Sequence, residues 1–215
     1  MERFEHLSMV GFLILGLALV RLVTNMTSLL SKDIVAEELE DEFGILKAAH
    51  AESHYDVSNV KFYWVHTTFV VILFFTMLIW WWNFYPINRL EFFPDERWNL
   101  FTYLLFLSVP TLMFMLCEVV TPKNHYNFNV SMQNYWFRYN KIILGLAWLI
   151  QFFLMINLLV FFNEPFLSQK VLGRVALLIL MAPMIFSKDK KLHEISMVIF
   201  TVGFTYTIFK YHIYT

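Results

Sequence analysis

Three ionisable residues sit in stretches that are otherwise apolar: Arg21, His66 and Glu118. A charge at the centre of a bilayer costs at least about 2.5–3.5 kcal/mol, so such side chains usually face the interior of a helix bundle and find partners. Imidazole titrates near neutral pH, and His66 beside an Arg21–Glu118 pair reads as a proton or ion path. The same residues also read as a polar clamp joining three helices, or as side chains that snorkel to the interface. From the sequence all three readings are open. Gln151 and Asn157 lie six residues apart and off a common helical face; they are expected to hydrogen-bond between helices, with pore lining as the alternative.

Histidine number invites other chemistry. A bis-histidine haem needs two imidazoles facing each other at one depth, and His193 is the only mate placed for His66. His50 and His54 have the i, i+4 spacing of metal ligands, but no third ligand follows at a recognisable spacing, so a solvated helix face is expected there. No metal and no cofactor is therefore assigned. Glycine-rich phosphate loops, H-E-x-x-H and nucleophile elbows do not occur in the sequence. The single cysteine, Cys117, cannot form an intrachain disulfide. A net charge of −1 gives no field for nucleic acid.

The elements that must position these residues are membrane helices. Of 215 residues, 59% are apolar and 15% charged, where soluble proteins carry about a quarter charged. The apolar residues fall into long runs, and a bilayer core needs about 20 such residues per helix. The runs predict an all-α polytopic transmembrane bundle, a single domain of about six spans: residues 8–30, 62–85, 98–120, 139–162, 171–186 and 192–214. No cleavable signal peptide is expected, and the first run reads as a retained span. Trp64 near one end of the second run, and Trp80, Trp81 and Trp82 near the other, suit two interfacial belts. Pro110 predicts a kink in the third span. The fifth, short and bearing Pro183, is expected to be tilted, broken or re-entrant. Lys123 to Arg138 reads as a polar, aromatic connection.

Between the first two spans the composition changes abruptly. Asp33, Glu37, Glu38, Glu40, Asp41, Glu42, Glu52 and Asp56 face only Lys32 and Lys47. Val35, Leu39, Phe43 and Leu46 follow at intervals of four, four and three, which places them on one helical face. Residues 33–51 are expected to form an acidic amphipathic helix outside the bilayer core. Anionic lipid would repel it, so those four side chains are assigned to a protein partner or a neighbouring protomer. Six spans put both termini on one side. The odd-numbered links carry nine cations against six for the termini and even links, so the positive-inside rule places the termini outside.

Glu5-His6-Leu7, the first span with Arg21, Tyr63-Trp64-Val65-His66 and Trp80-Trp81-Trp82 together resemble a widespread group of small bacterial polytopic membrane proteins. The resemblance covers roughly the first half of the chain, and the acidic segment is longer than that group suggests. It implies a bacterial inner membrane and supplies no activity. Three functions follow as expectations. The first is a small, oligomeric conduit or transporter-like protein for ions or protons, with the bilayer as its surroundings. The second is a non-enzymatic membrane subunit that recruits a protein partner through the acidic helix. The third, a lipid enzyme with His66 as base, ranks last because no nucleophile or metal set accompanies that histidine.

Overall fold

A computed structural model describes residues 9–27, 61–84, 99–122 and 131–210. Among these residues the regular structure is helical, apart from one isolated bridge between Lys61 and Ser131. The helices are α1 (Met9–Thr27), α2 (Trp64–Phe84), α3 (Leu100–Val120), α4 (Met132–Val160), α5 (Gln169–Phe186) and α6 (Lys190–Ile208). The first five are long and apolar enough to cross a membrane. The opening turn of α6 carries Lys190, Lys191, His193 and Glu194, which dilutes its apolar content. The acidic segment with Val35, Leu39, Phe43 and Leu46, and also His50 and His54, lies outside the described residues.

Local chemistry sets where each helix starts. The Asn99 side chain accepts from the backbone of Phe101 and Thr102, and Thr102 Oγ1 accepts from Asn99 N at 2.9 Å, a complete capping box. Ser168 caps α5 and Asp189 caps α6. α4 begins at Met132, seven residues before the expected span, with Ser131 as its cap. The polar stretch before residue 139 is thus partly helical. Met132, Trp136, Asn140, Ile143 and Leu144 share the buried face that continues to Asn157, so helical burial, and not local polarity, decides the boundary. α4 ends through Asn163, which takes a left-handed φ of 49° that asparagine tolerates. The Glu164 N–H then donates to the Leu158 carbonyl at 3.1 Å.

α4 is the centre of the bundle, packed against α3 on one side and α5 on the other, with α6 against α2 and α5. The helices alternate in direction. His66 at the start of α2 meets Val120 at the end of α3, and Tyr135 early in α4 meets Val119. Asn140 meets Ser187 at the close of α5. At the far end, Lys210 Nζ donates to Gln169 Oε1 at 2.6 Å, so α6 runs the full length of α5. α5 is one continuous helix of 18 residues, with Pro183 in its last turn. Pro183 withholds one N–H bond, to the carbonyl of Ile179, and the Trp148 indole donates to the adjacent Leu178 carbonyl at 3.1 Å.

α1 lies on the bundle through a narrow stripe of small and branched residues. Gly11, Leu15, Ala18 and Leu22 are buried at intervals of four, three and four, while Leu13, Leu17 and Val20 face outward. Small residues let membrane helices approach closely. At Gly11 the approach is extreme: a Cβ there would fall 2.7 Å from Phe106 Cε1. The Phe106 ring is fully buried against Trp80 and Phe161 and has little room to retreat. Around Gly16 no atom lies within 4 Å of such a Cβ. Gly11→Ala is expected to lower stability by about 1–3 kcal/mol through overpacking. Gly16→Ala should change it by no more than about 0.5 kcal/mol, as surface substitutions do. Thermal unfolding of both variants in detergent measures the contrast; equal midpoints would mean that α1 does not dock on Phe106.

Candidate functional site: a polar layer at one end of the bundle

α1, α3, α2, α4 and α6 each bring a polar side chain to the same end. Arg21 of α1 reaches Glu118 of α3: Nε lies 2.6 Å from Oε1 without the alignment of a hydrogen bond, and Nη2 donates to Oε2 at 3.4 Å. The Arg21 side chain is 42% exposed and that of Glu118 22%, so the pair lies at the outer surface of the bundle and not in its centre. Glu118 also stands in the last turn of α3, where the helix dipole is negative. A cation at that end offsets both the carboxylate and the dipole.

His66 is buried, and its Nε2 lies 2.7 Å from the Val120 carbonyl. A carbonyl can only accept, so Nε2 carries the hydrogen. Tyr135 donates its hydroxyl to the neighbouring Val119 carbonyl, also at 2.7 Å. Both acceptors belong to the last turn of α3, whose carbonyls have no partners further along the helix. His66 and Tyr135 therefore act as side-chain caps for α3. The buried layer continues through Trp136, whose ring packs edge-on to both His66 and His193, with centroids 6.1 Å from each. Its Nε1 donates to His193 Nδ1 at 3.1 Å, while His193 Nε2 faces the Ser187 carbonyl at 3.0 Å. The imidazole thus accepts on one nitrogen and donates on the other. Asn140 Nδ2 donates to the same Ser187 carbonyl at 2.9 Å and to Met184 O at 3.3 Å.

The sequence brings His193 forward only as a haem mate for His66. In the structure the two rings flank Trp136, and each has a nitrogen on a backbone carbonyl, an arrangement that does not present two imidazoles to one iron. Asn140 and Trp136 gave no separate signal in the sequence; an amide and an indole near the end of an apolar run are unremarkable until their partners are known. Among the described residues no group of three or more His, Cys, Asp or Glu side chains could hold a metal ion.

Gln151 and Asn157 do not join this layer. Gln151 is buried and its Oε1 accepts from Arg174 Nη1 of α5. Asn157 is almost fully buried, and among the described residues neither its Nδ2 nor its Oδ1 has a hydrogen-bond partner. Between the helices lie two small cavities, of about 20 and 10 Å³. Thr76 and Gln151 bring the polar groups to the larger one, whose walls are mainly apolar: Phe69, Ile72, Leu73, Leu116 and Phe200 among them. A space of that size holds about one water.

Comparison with protein-family models, with curated proteins and with solved structures found no match.

Removing one member of the Arg21–Glu118 pair should hurt more than removing both, because a lone charge is left in an apolar span. A double-mutant cycle with Arg21→Met and Glu118→Gln, read by thermal stability in detergent, should give a coupling of about 1 kcal/mol or more. Additivity within about 0.5 kcal/mol would mean that the contact carries no energy.

Proposed function

We propose that the chain is a non-enzymatic membrane subunit: a six-span helical platform that recruits a protein partner, or a second copy of itself, through the acidic segment Asp33–Ala51. One observation carries this reading. Three ionisable side chains inside the bundle end on partners that fix helices to one another: His66 on Val120, His193 between Trp136 and Ser187, and Arg174 on Gln151. A conducting site needs groups that exchange protons or ions with water, and the larger of the two cavities between the described helices, beside Gln151 and Thr76, holds about one molecule. The recognition chemistry left over is in the acidic segment, with Val35, Leu39, Phe43 and Leu46 as its apolar face.

A second reading, an ion or proton path, draws on the partial exposure of Arg21 and Glu118 beside the end of α3 that His66 caps. In an oligomer, that surface would lie between protomers. The two readings separate in liposomes holding the full-length protein. The first expects proton and potassium flux equal to that of protein-free vesicles. It also expects Val35→Ser, Leu39→Ser, Phe43→Ser and Leu46→Ser together to abolish the assembled species on native electrophoresis while leaving the unfolding midpoint of the bundle unchanged. A flux that falls with His66→Phe would establish the path instead.

The proposed setting is a bacterial inner membrane crossed six times, with both termini outside. α6, of 19 residues, is about 28 Å long, close to the roughly 30 Å of a hydrocarbon core, and it returns to the level of Gln169 at the start of α5. A cysteine introduced near the carboxyl terminus should react with an impermeant thiol reagent added from the periplasmic side. Labelling from the cytoplasmic side alone would overturn the orientation.

A further inference from the structure

Arg21 and Arg174, in two of the helices long and apolar enough to cross a membrane, have different partners. Arg21 has a carboxylate; Arg174 has an amide. The Nη1 of Arg174 donates to Gln151 Oε1, and Gln151 is 6% exposed, so the contact draws the guanidinium toward the bundle. An amide satisfies a donor but brings no charge, and a guanidinium has five N–H donors in a planar fork. Arg174 stands six residues after the Ser168 cap of α5, about 9 Å along the helix; among the described residues no carboxylate pairs with it, and a cation at such a position calls for an anion. The nearby cations are already engaged: Lys170 with Glu164 at 2.5 Å, and Lys210 with Gln169.

We propose that Arg174, held in place by Gln151, binds a phosphate-class anion at the end of the bundle where α5 begins. The remaining guanidinium donors match the paired oxygens of a phosphate, a geometry arginine satisfies with two parallel hydrogen bonds. The N-terminal turn of α5 adds a favourable dipole. Within a bilayer the phosphate is that of a phospholipid headgroup; a free anion has the same chemistry at the water-facing edge.

The test uses delipidated full-length protein in neutral detergent, with thermal unfolding followed during titration with phosphatidylglycerol, phosphatidylcholine or inorganic phosphate. Phosphatidylglycerol is expected to raise the midpoint saturably, with half-saturation about tenfold weaker in Arg174→Gln, as loss of a charge-assisted contact implies. The same response to inorganic phosphate would support the site and identify a free anion as its ligand. An equal response to phosphatidylcholine, or one unchanged by Arg174→Gln, would overturn the proposal as general lipid binding. No saturable shift in the wild-type protein would overturn it too. If stability falls on neutralising Glu91, Asp95 and Glu96 as it does in Arg174→Gln, and phosphate has no effect, the partner is an acid of this chain and the proposal fails. Should Arg174→Gln not fold, Gln151→Leu keeps the charge but removes its hold. It should weaken the same titration, and an unchanged titration would overturn the proposal.

Discussion

The last turn of α3 sets the terms for the rest of the molecule. Its final carbonyls have no N–H further along the helix, and hydrocarbon supplies no water to replace one. The chain answers with side chains from two other helices, His66 from α2 and Tyr135 from α4. Each donor fixes its own helix to the end of α3, so a requirement of the backbone becomes the register of three helices. Arg21 adds α1 to the same turn by compensating Glu118. The close of α5 repeats the device: Ser187 O accepts from both Asn140 and His193, which draws α4 and α6 together. Trp136 joins the two caps by packing between their imidazoles.

This arrangement divides the bundle unequally. At the polar end, hydrogen bonds determine the register. Toward the opposite end lie close apolar contacts, as between Gly11 and Phe106 or among Trp80, Phe106 and Phe161. Apolar surface gives little direction in a membrane, since lipid tails are as apolar as leucine, and association there rests on packing and on polar contacts. The polar layer therefore specifies which helices meet, while the shape of the apolar interior specifies how closely they do.

Much of the architecture was legible because length and hydropathy report directly on a bilayer. Runs of apolar residues marked five helices long and apolar enough to cross a membrane; Trp64, Trp81 and Trp82 face outward from the bundle, and Trp80 turns inward. The start of α4 was not legible. Its first two turns are polar in composition, and only Trp136 and Asn140 turning inward make them part of the helix face. Continuity of α5 was equally hidden, because Pro183 reads as a break until its place in the final turn is known. The Arg21–Glu118 contact followed from economy of charge: one isolated cation and one isolated anion, at the same end, leave few alternatives.

The role of His66 was the least legible, and the reason is physical. A histidine that moves protons and a histidine that caps a helix have the same type, the same depth and the same neighbours in sequence. They differ in what each ring nitrogen already holds. Nε2 of His66 faces a carbonyl that cannot give up a proton, and the ring edges against Trp136 and Tyr135. A proton arriving at this imidazole would have to enter through its other nitrogen. Replacing that capping bond would also release a backbone carbonyl into an apolar interior, at a cost of about 1–3 kcal/mol. Proton transfer at Nε2 would thus work against the contact that holds α2 to α3.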